Sequence, residues 1–166
     1  MSLLQFEVAR TEHPVDIIER LAALNEWAFD RDEEDEISIS VAGSWTEYNV
    51  AFTWLSEIEA LHIACAFDLK VPNTRRSESL ALASLINEQL WIGHFDIWAK
   101  DGVIMFRHAI LLAGGADLNV TQCEAAMTSA VAACERYYQA FQFVVWAGKN
   151  AREAFDTALI ETIGEA

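Results

Sequence analysis

Basic residues are scarce in this chain: 11 Lys and Arg stand against 26 Asp and Glu, for a net charge of −15. A field of that sign repels phosphate backbones and anionic membrane surfaces, so nucleic-acid binding and membrane association are not expected. Cysteine is scarce as well, limited to Cys65, Cys123 and Cys134. An odd count without a signal peptide predicts reduced thiols in a cytoplasmic protein. Long apolar runs are missing, since none approaches the ~18–20 residues that cross a bilayer. The best candidate, around 141–146, is broken by Gln142 and closed by Gly148-Lys149.

Signatures of chemistry are missing too. There is no His-x-x-x-His or Cys-x-x-Cys spacing, and Cys123 and Cys134 fall about three turns apart on one predicted helix. Cys65 shares a strand face with Leu61, Ile63 and Phe67 and reads as a small core residue. No G-x-S-x-G elbow is present, and Gly114-Gly115 lacks the lysine and glycine spacing of a phosphate cradle. The acidic run of Asp30, Asp32, Glu33, Glu34, Asp35 and Glu36 lacks the glycine and spacing of a calcium loop. It reads instead as a solvated loop leading into an edge strand. No catalytic residue, metal or cofactor is therefore assigned.

What is present is pattern. Apolar residues make up 53% of 166 residues, enough for one domain with its own core. Residues 3–8 form a short apolar-polar segment left unassigned. Pro14 suits the first position of a helix, and Ile17, Ile18, Leu21 and Leu24 extend it at helical spacing over 14–27, with Trp27 at its buried end. Three alternating runs follow, each reading as a half-buried strand. They are Ile37-Ile39-Val41, then Tyr48-Val50-Phe52-Trp54, then Leu61-Ile63-Cys65-Phe67. Their connections are too short for crossover helices, so they predict an antiparallel meander. Asn73 or Thr74 is expected to cap a second helix, with Ser79, Leu82, Leu85, Ile86 and Leu90 on one face and Gly93 as its stop.

Residues 86–111 organise the rest. Asp101-Gly102 is the strongest short hairpin signal in the chain. As a two-residue turn it sets Lys100 opposite Val103, Trp98 opposite Met105 and Asp96 opposite Arg107. One face then carries Phe95, Ile97, Ile104, Phe106 and Ile110, as a core requires. Thr121-Gln122-Cys123-Glu124 reads as the capping box of a long helix, and Asn150-Ala151-Arg152-Glu153 as that of a last one with Phe155, Leu159, Ile160 and Ile163 inward. The sum is an α+β fold of order α-β-β-β-α-β-β-α-α, with an antiparallel sheet of about five strands.

Two surfaces qualify as sites. Trp98 and Met105 lie on the side of the hairpin away from the core, where a monomer does not normally leave large apolar groups. The last helix, a second copy or a client protein would have to cover them. Glu88, His94, Asp96 and Arg107 form a polar cluster where a helix end meets the hairpin, suited to a small ligand or to a structural ion pair. His94 and His108 point to opposite faces and do not share a metal.

Asn87-Glu88-Gln89-Leu90-Trp91, Gly93-His94-Phe95, Phe106-Arg107 and Cys134-Glu135-Arg136-Tyr137-Tyr138 closely resemble the YbjN family. Phe52-Thr53-Trp54 and Ala66-Phe67-Asp68 fit the same pattern. The resemblance implies a bacterial sensory transduction regulator with a type III secretion chaperone-like fold, one that often dimerises and has no established catalytic residues. The expectation is thus a single domain over 1–166, with a C-terminal helical extension at about 150–163 that the resemblance does not explain. The expected role is a non-enzymatic, homodimeric, protein-binding regulator of unknown client. The alternative is a small-molecule-binding or enzymatic domain built on the polar cluster.

Overall fold

The computed structural model describes residues 10–164. The expectations for residues 3–8 and for the side chain of Ile163 lie outside the described residues. The chain runs α1 (Pro14–Leu24), β1 (Ala28–Glu33), β2 (Glu36–Ala42), β3 (Glu47–Leu55), β4 (Ala60–Lys70) and a 3₁₀ turn (Asn73–Arg75). It continues through α2 (Arg76–Asn87), β5 (His94–Ile97), β6 (Val103–Leu111), α3 (Val120–Val145) and α4 (Ala151–Gly164). The strands form one antiparallel sheet in the order β1-β2-β3-β4-β6-β5.

The fold is α+β as the pattern predicts, with six strands rather than about five. The additional strand is β1, which takes up the first half of the acidic run. Five of its six residues are exposed, so no apolar alternation betrays it. Arg31 anchors it to the first helix, with Nη1 2.7 Å from Asp16 Oδ1 and 3.1 Å from Glu19 Oε2. α1 stops at Leu24, short of residue 27, and Glu26 turns the chain with φ +56. Trp27 packs partly buried against the core.

The β5–β6 register differs from the two-residue turn by two positions. His94 faces Arg107, Asp96 faces Met105 and Ile97 faces Ile104. Trp98 N–H donates to Val103 O at 3.0 Å, and Gly102 N–H closes back onto Trp98 O at 2.9 Å, so the loop is longer than Asp101-Gly102. Gly102 (φ +67) lies against the chain leaving β4, where a Cβ would come 2.4 Å from Val71 O. That contact fixes where the glycine goes. A slip of two leaves side-chain parity intact, so Phe95, Ile97, Ile104 and Phe106 are buried as expected, and Ile110 packs partly buried beside them.

Two caps also move. The 3₁₀ turn replaces a side-chain cap from Asn73 or Thr74 at the start of α2. The capping box of α3 is Asn119–Gln122, two residues ahead of Thr121: Asn119 Oδ1 accepts from Gln122 N–H (2.8 Å) and Gln122 Oε1 accepts from Asn119 N–H (2.9 Å). At the last helix Asn150 Oδ1 accepts from Glu153 N–H at 2.9 Å, as predicted. Glu78 of α2 adds a carboxylate to the same end, accepting from Ala151 N–H at 2.7 Å. Arg75 holds the other end of the junction, donating from Nε to Val144 O (2.8 Å) and from Nη2 to Lys149 O (2.6 Å).

α1, α2 and α3 pack on one face of the sheet over a core that includes Phe52, Ile63, Phe67, Phe95, Phe106, Tyr137 and Phe141. α4 lies outside α2 and α3, burying Ala151, Ala154, Phe155 and Ala158, with Leu159 partly buried. Ile160, expected on its inner face, is 69% exposed; three alanines and one phenylalanine already fill that contact. Asn87, the last residue of α2, sits beside the outer edge of β5. Its Oδ1 accepts from Phe95 N–H (2.8 Å) and its Nδ2 donates to Phe95 O (3.1 Å).

Candidate functional site: the open face of the sheet

With every helix on one side, no described element covers the other face of the sheet. Strand pairing sets its side chains in rows. One row reads Asp30, Ser38, Ala51, Ala64, Arg107, His94 from edge to edge, and the next Ala28, Ser40, Asn49, Ala66, Met105, Asp96. The middle of the face is therefore small and flat, with carboxylate at the β1 edge and cationic and imidazole groups at the β5–β6 edge.

Trp98 and Met105 belong to that second edge. Trp98 is 46% exposed and Met105 half-buried. α4 is not their cover, because it lies across the molecule on α2 and α3.

The polar cluster assembles in part. Arg107 Nη1 donates to Asp96 Oδ2 at 3.1 Å, reaching diagonally rather than straight across. His94 Nε2 approaches the same oxygen at 3.3 Å. Glu88 stands apart: it caps the end of α2 with no bond to the other three, and meets Asp96 only across a cleft between α2 and β5. The pattern reading missed His62. Arg107 Nε donates to His62 Nε2 at 3.2 Å, so that nitrogen is an acceptor and the ring is neutral with its proton on Nδ1. Burial, then the charge of Arg107, lowers the pKa of His62 below its ordinary value. Only the placement of β4 beside β6 brings the two together, and alternation within single strands does not encode that neighbour. His108 lies on the other side, opposite Ile63, with its pKa lowered chiefly by burial.

The remaining reactive groups are occupied or withdrawn. All three cysteines are buried. Burial pushes the Cys123 thiol up to about 11, and a hydrogen bond with the Cys65 thiol together with burial raises Cys134. Gly114 and Gly115, both at positive φ, aim their N–H groups at the Glu59 carboxylate at 3.1 and 3.2 Å, and Arg10 Nη2 closes on it at 2.7 Å. This cradle for an anion is filled by the chain's own glutamate. Among the described residues no group of three or more His, Cys, Asp and Glu side chains is placed to hold a metal ion, and no helix is long and apolar enough to cross a membrane.

These features define an α+β domain whose distinguishing surface is an antiparallel sheet backed by helices on one face and covered by no described element on the other. The sequence model described as "YbjN: Putative bacterial sensory transduction regulator" matches residues 14–143, most of the chain, and the protein belongs to the YbjN family. The match stops inside α3, so α4 lies beyond it. No curated protein matches the chain. Among solved structures, the crystal structure of the ExsC–ExsE complex is similar, with 14% identity, 77% of this chain and 95% of that chain covered, and a TM-score of 0.45.

Proposed function

We propose that this protein is a non-catalytic, cytoplasmic regulator that acts by binding protein, and that it pairs with a second copy through the open face of its sheet. The observation that carries this reading is the uncovered face itself, with Trp98 and Met105 at its rim and α4 packed elsewhere. A twofold axis parallel to the strands would lay the Asp30 edge of one copy over the His94–Arg107 edge of the other. The face is thus complementary to itself in charge. The lane of Ser38, Ser40, Ala51, Ala64 and Ala66 would let two sheets approach to about 10 Å.

Light scattering on wild type and on Trp98→Glu tests the reading. A dimer that becomes a monomer on substitution supports it. A wild-type monomer at every concentration, or a dimer indifferent to the substitution, overturns it.

A further inference from the structure

Seven of the eight arginines spend their guanidinium groups inside the protein. Arg10, Arg20, Arg31, Arg107 and Arg152 pair with carboxylates, and Arg75 and Arg76 donate to backbone carbonyls. Arg136 is the exception. Among the described residues it has no hydrogen bond or ion pair, and only lies over the ring of Tyr137 at 5.3 Å. In a chain with 26 carboxylates, Arg136 stands exposed on α3 with none of them paired to it among the described residues.

Its surroundings are equally unfinished. Arg136 and Tyr137 line a groove of about 290 Å³ between α3 and the loop that follows α2, with Leu90, Trp91 and Ile92 forming the opposite wall. Trp91 is 100% exposed and Ile92 49% exposed. Tyr137 is wholly buried, and its hydroxyl has no hydrogen-bond partner. Ser129, Ala132 and Ala133 floor the groove with small side chains. A free guanidinium beside an exposed indole and an unused phenol has the composition of a protein-binding hot spot.

We infer that this groove docks a carboxylate-bearing apolar segment of a partner protein, its acid on Arg136 and its apolar side chain against Trp91 and Ile92. Charge selects the occupant, because among the described residues the one guanidinium without a hydrogen bond or ion pair lines the same groove as the most exposed large apolar side chain. The groove is on the helical side, so this goes beyond the pairing surface of the sheet and stands independently of it.

The test uses the full-length protein and two pools of short synthetic peptides, identical except that the carboxylates of one are amidated. The acidic pool should bind with a change in indole fluorescence. Trp91→Ala and Arg136→Gln should each weaken it by about tenfold or more. Arg136→Gln should leave weak binding of the amidated pool unchanged, whereas Trp98→Glu should leave acidic-pool binding intact. Trp91 is fully exposed, so its loss does not threaten the fold. Equal binding of the two pools, or an Arg136→Gln effect of the same size on both, would overturn the assignment. So would a change in solution mass with Trp91→Ala, which would give the groove to a second copy of this chain.

Discussion

His62 and His108 both favour the neutral imidazole in the folded protein, each with its pKa lowered from 6.5, chiefly by burial. The unfolded chain takes up protons nearer that ordinary value, so below it the unfolded state binds more protons than the folded one. Their contribution is complete above pH 6.5 and is lost as pH falls toward the depressed folded values. Thermal melts should show a Tm that is level near neutrality and declines as pH falls below 6.5, and a flatter decline in the His62→Asn, His108→Asn double variant. An unchanged slope in that variant would assign the acid sensitivity to other groups. Asn87 permits a second test at this scale. Asn87→Ala strands the N–H and C=O of Phe95 at the edge of a buried strand and should cost about 1–3 kcal/mol in urea unfolding. These two contributions differ in how far they could be read beforehand. Alternation puts His62 on the polar face of its strand, yet its partner Arg107 sits 45 positions away, on a strand whose neighbour alternation does not name.

Elements whose burial is one-sided were plain from pattern, and those exposed or capped by neighbours were not. β2, β3 and β4 alternate buried and exposed residues along most of their length and fall where their periodicity puts them. β1 has no buried residue to reveal it. Thr121 satisfies the same cap rule as Asn119, and sequence offers no reason to prefer one; the loop arriving from Leu118, which is buried, decides. Gly93 illustrates an element boundary set twice over. Its φ of +73 suits glycine, and an added Cβ would come 2.2 Å from the buried ring of Phe106 and 3.0 Å from Arg107 O. Gly93→Ala should therefore destabilise by about 1–3 kcal/mol or more, read by chemical denaturation. Replacement of Arg75 by methionine should separate α3 from the turn into α4, with loss of about 1.5–3 kcal/mol for its charged hydrogen bonds.

For the whole molecule, faces matter more than residues. Because α4 packs on α2 and α3, deletion of residues 150–166 should lower the melting temperature while leaving the protein dimeric. A monomer after that deletion would move the pairing surface to the helical side. The hairpin faces were legible because a register error of two preserves parity; the side occupied by α4 was not, since three alanines make most of its contact and carry little pattern. The two edges of the sheet are unequal as well. A step-growth polymer needs two reactive ends on each monomer, and a molecule with one can only terminate. The amide of Asn87 answers Phe95 as a neighbouring strand would, whereas β1 is an edge that no further described strand pairs with, crowded with Asp30, Asp32 and Glu33. Edge-to-edge growth is therefore hindered at both described edges: Asn87 occupies the Phe95 groups at β5, and like carboxylates repel at β1.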